Sequence, residues 1–307
     1  MIRNPGRVLV VGGSGELGQQ VVSAARGSDV HATYFTHLPP VSNAAWHQLD
    51  ITDRRAVQQL TARLRPDAII HTAVSDRDRP KFSSDTDFRA AIVDGGRYVA
   101  EAGAEAGARC IVLSTDLVFD GTQGNYTEED PPNPIMAYGQ AKADMEQALL
   151  AMGTDLVIVR TSLILTMEPM GKHVTWIVDA LRRGEPRNLF TDELRCPVWS
   201  DQLAAALLEL STLDYRGLLH VAGPEVTHRY ALGLALADYF GLDSSLITPG
   251  LSAESGLNRP LNCSLNCSRA YRLLKTPFQG VHARLRNWMK RRSRVDVLTD
   301  KTRPAGG

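Results

Sequence analysis

The sequence of 307 residues predicts an α/β protein, with a Rossmann-like, doubly wound parallel sheet and a smaller, irregular C-terminal lobe. Short apolar runs alternate with helical patterns through the first half, as expected of βαβ units. The first apolar run leads directly into a glycine-rich turn. Beyond about residue 160 the alternation loosens into shorter helices. We therefore expect a Rossmann domain over 1–160, a smaller lobe with some returning elements over 161–290 and a frayed tail over 291–307.

The elements of the first domain follow from the apolar runs in chain order. Strands are predicted at 7–11, 30–34, 46–49, 68–71, 110–114 and 156–160, and helices at 16–26, 54–64 and about 88–106. Asp53 can cap the helix over 54–64, which should end before Pro66 because a residue preceding proline is pushed out of the helical region. The stretch 119–135 is rich in Gly, Pro, Asn and Asp, which predicts a long functional loop. In the second lobe we expect helices at 201–210 and 230–239.

The composition narrows the class of partner. Lys plus Arg and Asp plus Glu both number 34, so the formal net charge is zero and a small-molecule partner is favoured over nucleic acid or a membrane. No apolar run approaches the roughly 18 residues of a membrane span and no signal-peptide pattern opens the chain, which predicts a cytoplasmic protein. The four cysteines suit reduced structural thiols, and no metal site is predicted. A homo-oligomer stays open.

The glycine-rich turn is the first motif with chemical content. In VLVVGGSGELGQQVV, Gly12, Gly15 and Gly18 form a G-x-x-G-x-x-G pattern after a strand and at the start of a helix. Glycine lets backbone N–H groups and the positive helix end approach a pyrophosphate. Such a turn can also be only a turn, but its position at the first βα connection favours a dinucleotide site.

The second strand bears on the choice of dinucleotide. An acid that holds the ribose 2′-hydroxyl of NAD is expected about 20 residues past the glycines. HATYFTHLPP instead offers Tyr34, Phe35, Thr36 and His37. Without the carboxylate a 2′-phosphate is acceptable, so the sequence favours NADPH, while NADH stays open because no arginine takes the position either.

Two Tyr-x-x-x-Lys pairs occur, Tyr138 with Lys142 and Tyr271 with Lys275. On a helix this spacing brings a phenol and an ammonium to one face, where the phenol can serve as a proton donor whose pKa the ammonium should lower. Context favours the first pair, since it follows the long loop and the strand end CIVLSTDLVFDG. The hydroxyl of Thr115 at that strand end can hold a substrate carbonyl oxygen.

Four segments together resemble one known family. GGSGELG, LSTDLVFDGTQGNYTEEDPPNP, YGQAK and VRTSLIL are similar to the extended short-chain dehydrogenases/reductases and, within them, to the dTDP-4-dehydrorhamnose reductase family. The resemblance extends to about residue 290. It implies a reductase that uses NADPH or NADH on a ketone, foremost a nucleotide-linked 4-keto-6-deoxysugar, with a catalytic triad of Thr115, Tyr138 and Lys142.

The resemblance also assigns binding residues. Tyr138 and Lys142 would contact the cofactor as well, and Thr115, Asp116 and Arg195 are the substrate candidates. The remaining cofactor candidates, with Thr36 added from the second strand, are Gly12, Ser14, Gly15, Glu16, Leu17, Gly18, Thr36, Asp50, Ile51, Thr72 and Ala73. The chain has HTAVSD where the family commonly has an Asn-Ala-Ala run, which leaves the contacts near the cofactor ribose open.

For several other residues, and for the overall function, the sequence allows more than one interpretation. His71 is either a buried histidine or a cofactor contact, with the former favoured, whereas Arg195, Lys172 and His173 are as consistent with diphosphate ligands as with solvated charges. The basic residues from 284 to 294 fit the exposed face of a docked terminal helix.

A dehydratase is disfavoured because Leu117 stands where those enzymes carry an acid. A sugar-nucleotide epimerase remains an alternative, as does a non-catalytic regulatory subunit like the β subunit of methionine adenosyltransferase, which resembles the same family.

Overall fold

The computed structural model describes residues 5–39, 43–74 and 85–300. Its strands are β1 (Arg7–Val11), β2 (Asp29–Tyr34), β3 (Ala45–Gln48), β4 (Ala68–His71), β5 (Arg109–Thr115), β6 (Leu156–Thr161), β7 (Ile164–Leu165), β8 (Arg187–Phe190), β9 (Val198–Trp199), β10 (Gly217–His220) and β11 (Ile247–Gly250). Its helices are α1 (Glu16–Ala24), α2 (Arg54–Leu64), α3 (Asp85–Glu105), α4 (Ala137–Ala151), α5 (Lys172–Arg182), α6 (Ser200–Leu210), α7 (Arg229–Phe240), α8 (Ser268–Leu273) and α9 (Val281–Asp300).

Seven strands form one parallel sheet in the order β10-β6-β5-β4-β1-β2-β3. Successive side chains of a strand point to opposite faces. Val8 and Val10 accordingly pack with α1 and α6 on one face, while Leu9 and Val11 pack with α2, α3 and α4 on the other. The predicted fold class, a doubly wound Rossmann-like sheet, is confirmed.

The second lobe is smaller and has its own apolar core. Helices α5, α7 and α9 enclose a cluster that includes Ile177, Trp199, Leu236 and Leu285, and β8 pairs with β11 beside it. Strand β10 returns to the main sheet next to β6, and α6 packs on α1. The chain therefore crosses back after residue 161, which ties the two lobes together along one edge of the sheet.

The first domain follows the sequence more closely than the second. All six strands predicted there are present, and the Asp53 side chain accepts a hydrogen bond from the Ala56 N–H (3.0 Å) at the start of α2. Strands β7 to β11 and helices α5 and α8 were not predicted. Helix α9 docks through Val281, Leu285 and Trp288 and runs to Asp300, past the point where a frayed tail was expected, and residues 301–307 lie outside the described ranges.

The long loop over 119–135 is held by the C-terminal segment. The Tyr126 N–H donates to the Ser264 carbonyl oxygen (2.9 Å), and the Asn266 N–H donates to that of Tyr126 (2.7 Å). Inside the loop, hydrogen bonds from Tyr126 and Thr122 hold the pKa of Asp120 at about 2. The loop thus clamps residues 262–266 to the first domain and leads into α4.

The described residues contain neither a helix suited to span a membrane nor a cluster suited to hold a metal ion. None of their helices has both the length and the apolar composition of a membrane span. Within the same ranges, no three His, Cys, Asp or Glu side chains are arranged to hold a metal ion.

Candidate active site

A cleft of about 700 Å³ lies between the carboxyl ends of β1, β4, β5 and β6 and the second lobe. It brings together most of the residues singled out in the sequence: Gly12, Ser14, Gly15, Glu16, Leu17, Gly18, Asp50, Ile51, Thr72, Ala73, Thr115, Tyr138, Lys142 and Arg195. Thr36 and Asp116 do not line it. Thr36 is exposed and its hydroxyl contacts Nδ1 of His37 (2.9 Å), whereas Asp116 is fully buried behind the cleft wall.

The glycine-rich turn is shaped by close backbone approaches. A Cβ on Gly12, whose φ is +84°, would lie 2.5 Å from the Ala73 nitrogen, and one on Gly18 would lie 2.1 Å from the Gly12 carbonyl oxygen. At Gly15 the only described neighbour within 4 Å would be that same oxygen, at 3.3 Å. Packing therefore requires glycine at 12 and 18, while Gly15 leaves the N-terminus of α1 open to the cleft.

These surroundings fit a dinucleotide. The first N–H groups of α1 have no intrahelical partners and can bind a pyrophosphate. Next to them Tyr34, Phe35, Asp50 and Ile51 line the cleft, with the Asp50 carboxylate held by the Thr52 N–H (3.0 Å) and hydroxyl (2.7 Å). Ser75 and Asp76 of the HTAVSD segment lie outside the described residues.

Thr115, Tyr138 and Lys142 all line the cleft near the end of β5. The Thr115 hydroxyl donates to the Asp116 carboxylate (3.2 Å) and accepts from the Leu117 N–H (3.2 Å). Tyr138 is half-buried in the first turn of α4, which approaches the strand end so closely that a Cβ on Gly139 would lie 2.0 Å from the Leu117 carbonyl oxygen. Lys142 is 3% exposed, and its ammonium donates to the Leu113 carbonyl oxygen (2.9 Å).

The pKa of Tyr138, which lies beside Lys142 on α4, differs from the expectation. Burial, with a smaller contribution from the Asp116 carboxylate, raises the pKa of Tyr138, against a lowering by Arg195. Burial lowers the pKa of Lys142 to about 8, partly offset by Glu146. The expectation that Lys142 lowers the pKa of Tyr138 is therefore wrong for this arrangement, because desolvation of the phenol dominates.

Asp116 and Arg195 form a buried ion pair across the two lobes. The Arg195 guanidinium donates to both Asp116 oxygens, through Nε over 2.6 Å and through Nη2, and the Ser162 hydroxyl donates to Oδ2 (2.6 Å). Arg195 is therefore engaged with a carboxylate of the first domain instead of being a free phosphate ligand. Its pair fixes the turn that carries Thr115.

A basic group lines the lobe-side half of the cleft. Lys172, His173, Arg229 and Arg259 face it, and Arg259 pairs through Nε with Oε1 of Glu193 (3.0 Å). In the described part of the chain neither Lys172 nor Arg229 has a carboxylate within salt-bridge distance. Burial lowers the pKa of Arg229 to about 10, opposed by the Glu193 carboxylate and reinforced by Arg195 and Arg259. Burial, with the neighbouring cations, lowers the pKa of His173 to about 3. Arg229 and Lys172 are thus the cations of this group without a salt bridge among the described residues, although the Glu193 carboxylate acts on Arg229 from a longer distance.

The comparisons with known proteins agree with this geometry. A family model described as RmlD substrate binding domain matches residues 6–293. The chain belongs to this RmlD family. It is 32% identical over 288 residues to methionine adenosyltransferase 2 subunit beta of Rattus norvegicus, covering 89% of this chain and 85% of that protein.

Two other relatives carry reductase names. The chain is 31% identical over 264 residues to a probable low-salt glycan biosynthesis reductase of Haloferax volcanii, covering 82% of this chain and 85% of the relative. The crystal structure of a hypothetical dTDP-4-dehydrorhamnose reductase from Sulfolobus tokodaii superimposes with a TM-score of 0.77 at 30% identity, covering 89% of this chain and 96% of that one. The predicted family and oxidoreductase class, that of the short-chain dehydrogenases/reductases, are confirmed.

Some cleft residues of this RmlD-family chain were missed by sequence reasoning. Arg229 and Arg259 come from separate parts of the second lobe, with no motif joining them, so no sequence signal marked either. His71 is not among the cleft-lining residues; it is 3% exposed, its Nδ1 lacks a hydrogen-bond partner among the described residues, and burial lowers its pKa to about 3.

Proposed function

We propose that the protein is an NAD(P)H-dependent reductase of a ketone, with a nucleotide-linked 4-keto-6-deoxysugar as the favoured substrate. One observation carries the proposal. A hydroxyl, a phenol and an ammonium, those of Thr115, Tyr138 and Lys142, face the same cleft as an open helix N-terminus at one end and unpaired cations at the other. Ketone reduction needs a proton donor, a carbonyl ligand and a hydride source in one such place.

Each of the three side chains would have a separate role in the reduction. The bound nicotinamide would supply hydride to the carbonyl carbon. The Thr115 hydroxyl would turn its proton from the Asp116 carboxylate to the carbonyl oxygen, and the Tyr138 phenol would give its proton to the alkoxide that develops there. A phenol is protonated at neutral pH, which is the state that a donor needs, and burial of Tyr138 raises its pKa further. The Lys142 ammonium, fixed by the Leu113 carbonyl oxygen, has further N–H groups for the cofactor ribose.

The basic end of the cleft supports a diphosphate-bearing substrate. Lys172 and Arg229, which form no salt bridge among the described residues, supply positive charge for two phosphate groups, and Arg229 can bind them bidentately. A side cavity of about 470 Å³ adjoins them and is lined by Trp176, Asn188 and Phe190, among others. An aromatic surface and an amide suit a nucleobase, which stacks on one and hydrogen-bonds to the other.

We further propose that NADPH binds at least as tightly as NADH. Strand β2 ends at Tyr34 and is followed by Phe35 and Thr36, so no carboxylate from these positions repels a 2′-phosphate. Calorimetric titration with both cofactors tests this, and Thr36→Asp should shift the preference toward NADH. A strong preference of the native protein for NADH would contradict it.

The decisive assay incubates the protein with NADPH and a panel of nucleotide-linked ketosugars, following loss of NADPH absorbance. We expect turnover of at least one 4-keto-6-deoxysugar, and turnover lower by about 10²-fold or more in Tyr138→Phe. Nucleotide-linked glucose should not lose water, since Leu117 offers no acid. A 4-keto-6-deoxy product from that sugar would identify a dehydratase, and inversion of a sugar centre without net NADPH consumption would identify an epimerase.

A second candidate is a non-catalytic regulatory subunit, favoured by the identity to the rat methionine adenosyltransferase subunit. Affinity purification of the full chain, followed by mass spectrometry and sizing, tests for a stable stoichiometric partner. A stable complex with an adenosyltransferase, together with no turnover on the whole panel, would favour this function. Turnover that depends on Tyr138 would favour the reductase.

A further inference from the structure

The Glu16 side chain connects the two ends of the cleft. Glu16 opens α1, yet its carboxylate contacts the second lobe: the Thr166 hydroxyl donates to Oε1 (2.6 Å) and the Lys172 N–H donates to Oε2 (3.3 Å). A Cβ on Gly171 would lie 1.9 Å from Oε1. The contact therefore depends on glycine at 171, and Thr166, at 2% exposed, offers the carboxylate a partly desolvated partner.

Helix α5 receives its N-terminal cap from this distant residue. Its own N-cap position is Gly171, which has no side chain to accept a hydrogen bond. The first N–H groups of a helix need acceptors, and a carboxylate there also interacts favourably with the helix dipole. Glu16 supplies that carboxylate from α1, and the α5 turn that it caps carries Lys172 and His173 into the lobe-side half of the cleft.

The same carboxylate lies in the first turn of α1, where the proposed dinucleotide would place its pyrophosphate. Two anionic groups near one helix end repel each other. A bound pyrophosphate should therefore favour the arrangement in which Glu16 is held by Thr166 and α5. Conversely, that contact keeps the carboxylate from competing for the N–H groups of α1.

We propose that Glu16 is a positioning residue that couples dinucleotide binding at α1 to the order of the first turn of α5, and through it to the lobe-side cations. The inference rests on the proposed function, because it needs a dinucleotide at the glycine-rich turn. Coupling of this kind is reciprocal: what orders α5 also strengthens dinucleotide binding.

Hydrogen–deuterium exchange on the full chain, with and without saturating NADPH, tests the coupling. We expect NADPH to slow exchange across residues 172–176 of the wild type about fivefold, the lower range of typical couplings. Glu16→Ala and Thr166→Val should abolish the slowing. Thr166→Val removes the hydroxyl from the second lobe and leaves the glycine-rich turn intact, so it tests the proposal even if Glu16→Ala does not fold.

Gln20→Ala is the matched control. One turn along α1, Gln20 also crosses to the second lobe, where its amide donates to the Glu168 carbonyl oxygen (3.0 Å), but it does not cap α5. This variant should keep the NADPH effect. Equal slowing in the wild type, Glu16→Ala and Thr166→Val would overturn the coupling, as would a wild type that binds NADPH calorimetrically without any change in α5. Absence of NADPH binding to the wild type would instead contradict the proposed function itself.

Discussion

Two Tyr-x-x-x-Lys pairs share a spacing and little else. Tyr138 and Lys142 both lie on α4, whereas α8 ends at Leu273 and leaves Lys275 beyond it. Lys142 is buried against the Leu113 carbonyl oxygen, while Lys275 is exposed. The Tyr271 hydroxyl donates to the Ala222 carbonyl oxygen (3.0 Å), and its ring packs on Phe278. A four-residue spacing places two groups on one face only where the helix continues.

The two Tyr-x-x-x-Lys pairs also differ in the interactions that hold their segments in place. One turn after Lys142, Glu146 is 2% exposed and accepts from Arg160, whose Nη2 lies 2.7 Å from Oε2, and from the Ser114 hydroxyl. The segment after Tyr271 is held by Glu209, which accepts from the backbone N–H groups of Lys275 (2.7 Å) and Thr276 (3.1 Å). Helix α4 is thus fixed to β6 by a buried ion pair and to β5 by the Ser114 hydroxyl, and among the described residues no buried ion pair supports Tyr271 and Lys275.

The largest expected effect comes from removing this support. Arg160→Met leaves the Glu146 carboxylate buried without its cation and should lower the free energy of unfolding by about 4 kcal/mol, as is typical when one partner of a buried pair is lost. Urea denaturation measures it. The control is Arg89→Met, which breaks the more exposed pair between Arg89 of α3 and Asp144 of α4 (2.7 Å) and should cost less than about 1 kcal/mol. Equal losses would mean that α4 does not depend on the buried pair.

Tyr138→Phe tests which of the two tyrosines takes part in the reaction. Only the proton donor is removed, so turnover of a matched ketosugar should fall by about 10²-fold or more while the NADPH dissociation constant stays within a few fold. Steady-state kinetics and calorimetry measure the two quantities. Should Tyr271→Phe instead cause the larger loss of turnover, the active site proposed here is wrong.

The sequence predicted the first domain well because its signals are local. Alternating apolar runs and the glycine-rich turn each lie within a few residues of the element that they specify. The second lobe is built by contacts between distant segments, such as β8 with β11, and its short strands lack a periodicity of their own. The long loop was recognised, but sequence could not reveal that it binds residues 262–266 instead of lining the cleft.

The ionisation of Lys142 offers a third test. Burial lowers its pKa from 10.5 to about 8. Between pH 8 and pH 10.5 this lysine is protonated in the unfolded chain and neutral in the folded protein. Its contribution therefore makes the free energy of unfolding rise with pH in this range, and below pH 8 the buried ammonium destabilises the folded state. The stability of Lys142→Met relative to the wild type should therefore be greatest near pH 7 and decline from pH 8 toward 10.5. Lys275→Met, which removes an exposed ammonium, is the control, and a constant difference for Lys142→Met would contradict the buried site.

Residues of the candidate site that belong to a sequence motif were predictable. The role of a residue was not predictable where it depends on a contact with a distant side chain. Thr115, Tyr138 and Lys142 were found from spacing and strand ends. Arg195 was identified as a cation for the substrate, but its bidentate pairing with Asp116 depends on how the lobes dock. The pKa direction of Tyr138 was missed for the same reason, since desolvation depends on the folded surroundings and not on the neighbouring lysine alone.

The smallest effect is expected at Tyr271. Tyr271→Phe keeps the ring on Phe278 and removes the hydroxyl that donates to the Ala222 carbonyl oxygen, so the free energy of unfolding should fall by about 1 kcal/mol. Turnover should be nearly unchanged, because this tyrosine is not among the cleft-lining residues. Denaturation and kinetics on the same preparation separate the two roles: Tyr138→Phe should act on turnover, and Tyr271→Phe on stability. A tenfold loss of turnover in Tyr271→Phe at unchanged stability would show that the second pair contributes to the chemistry after all.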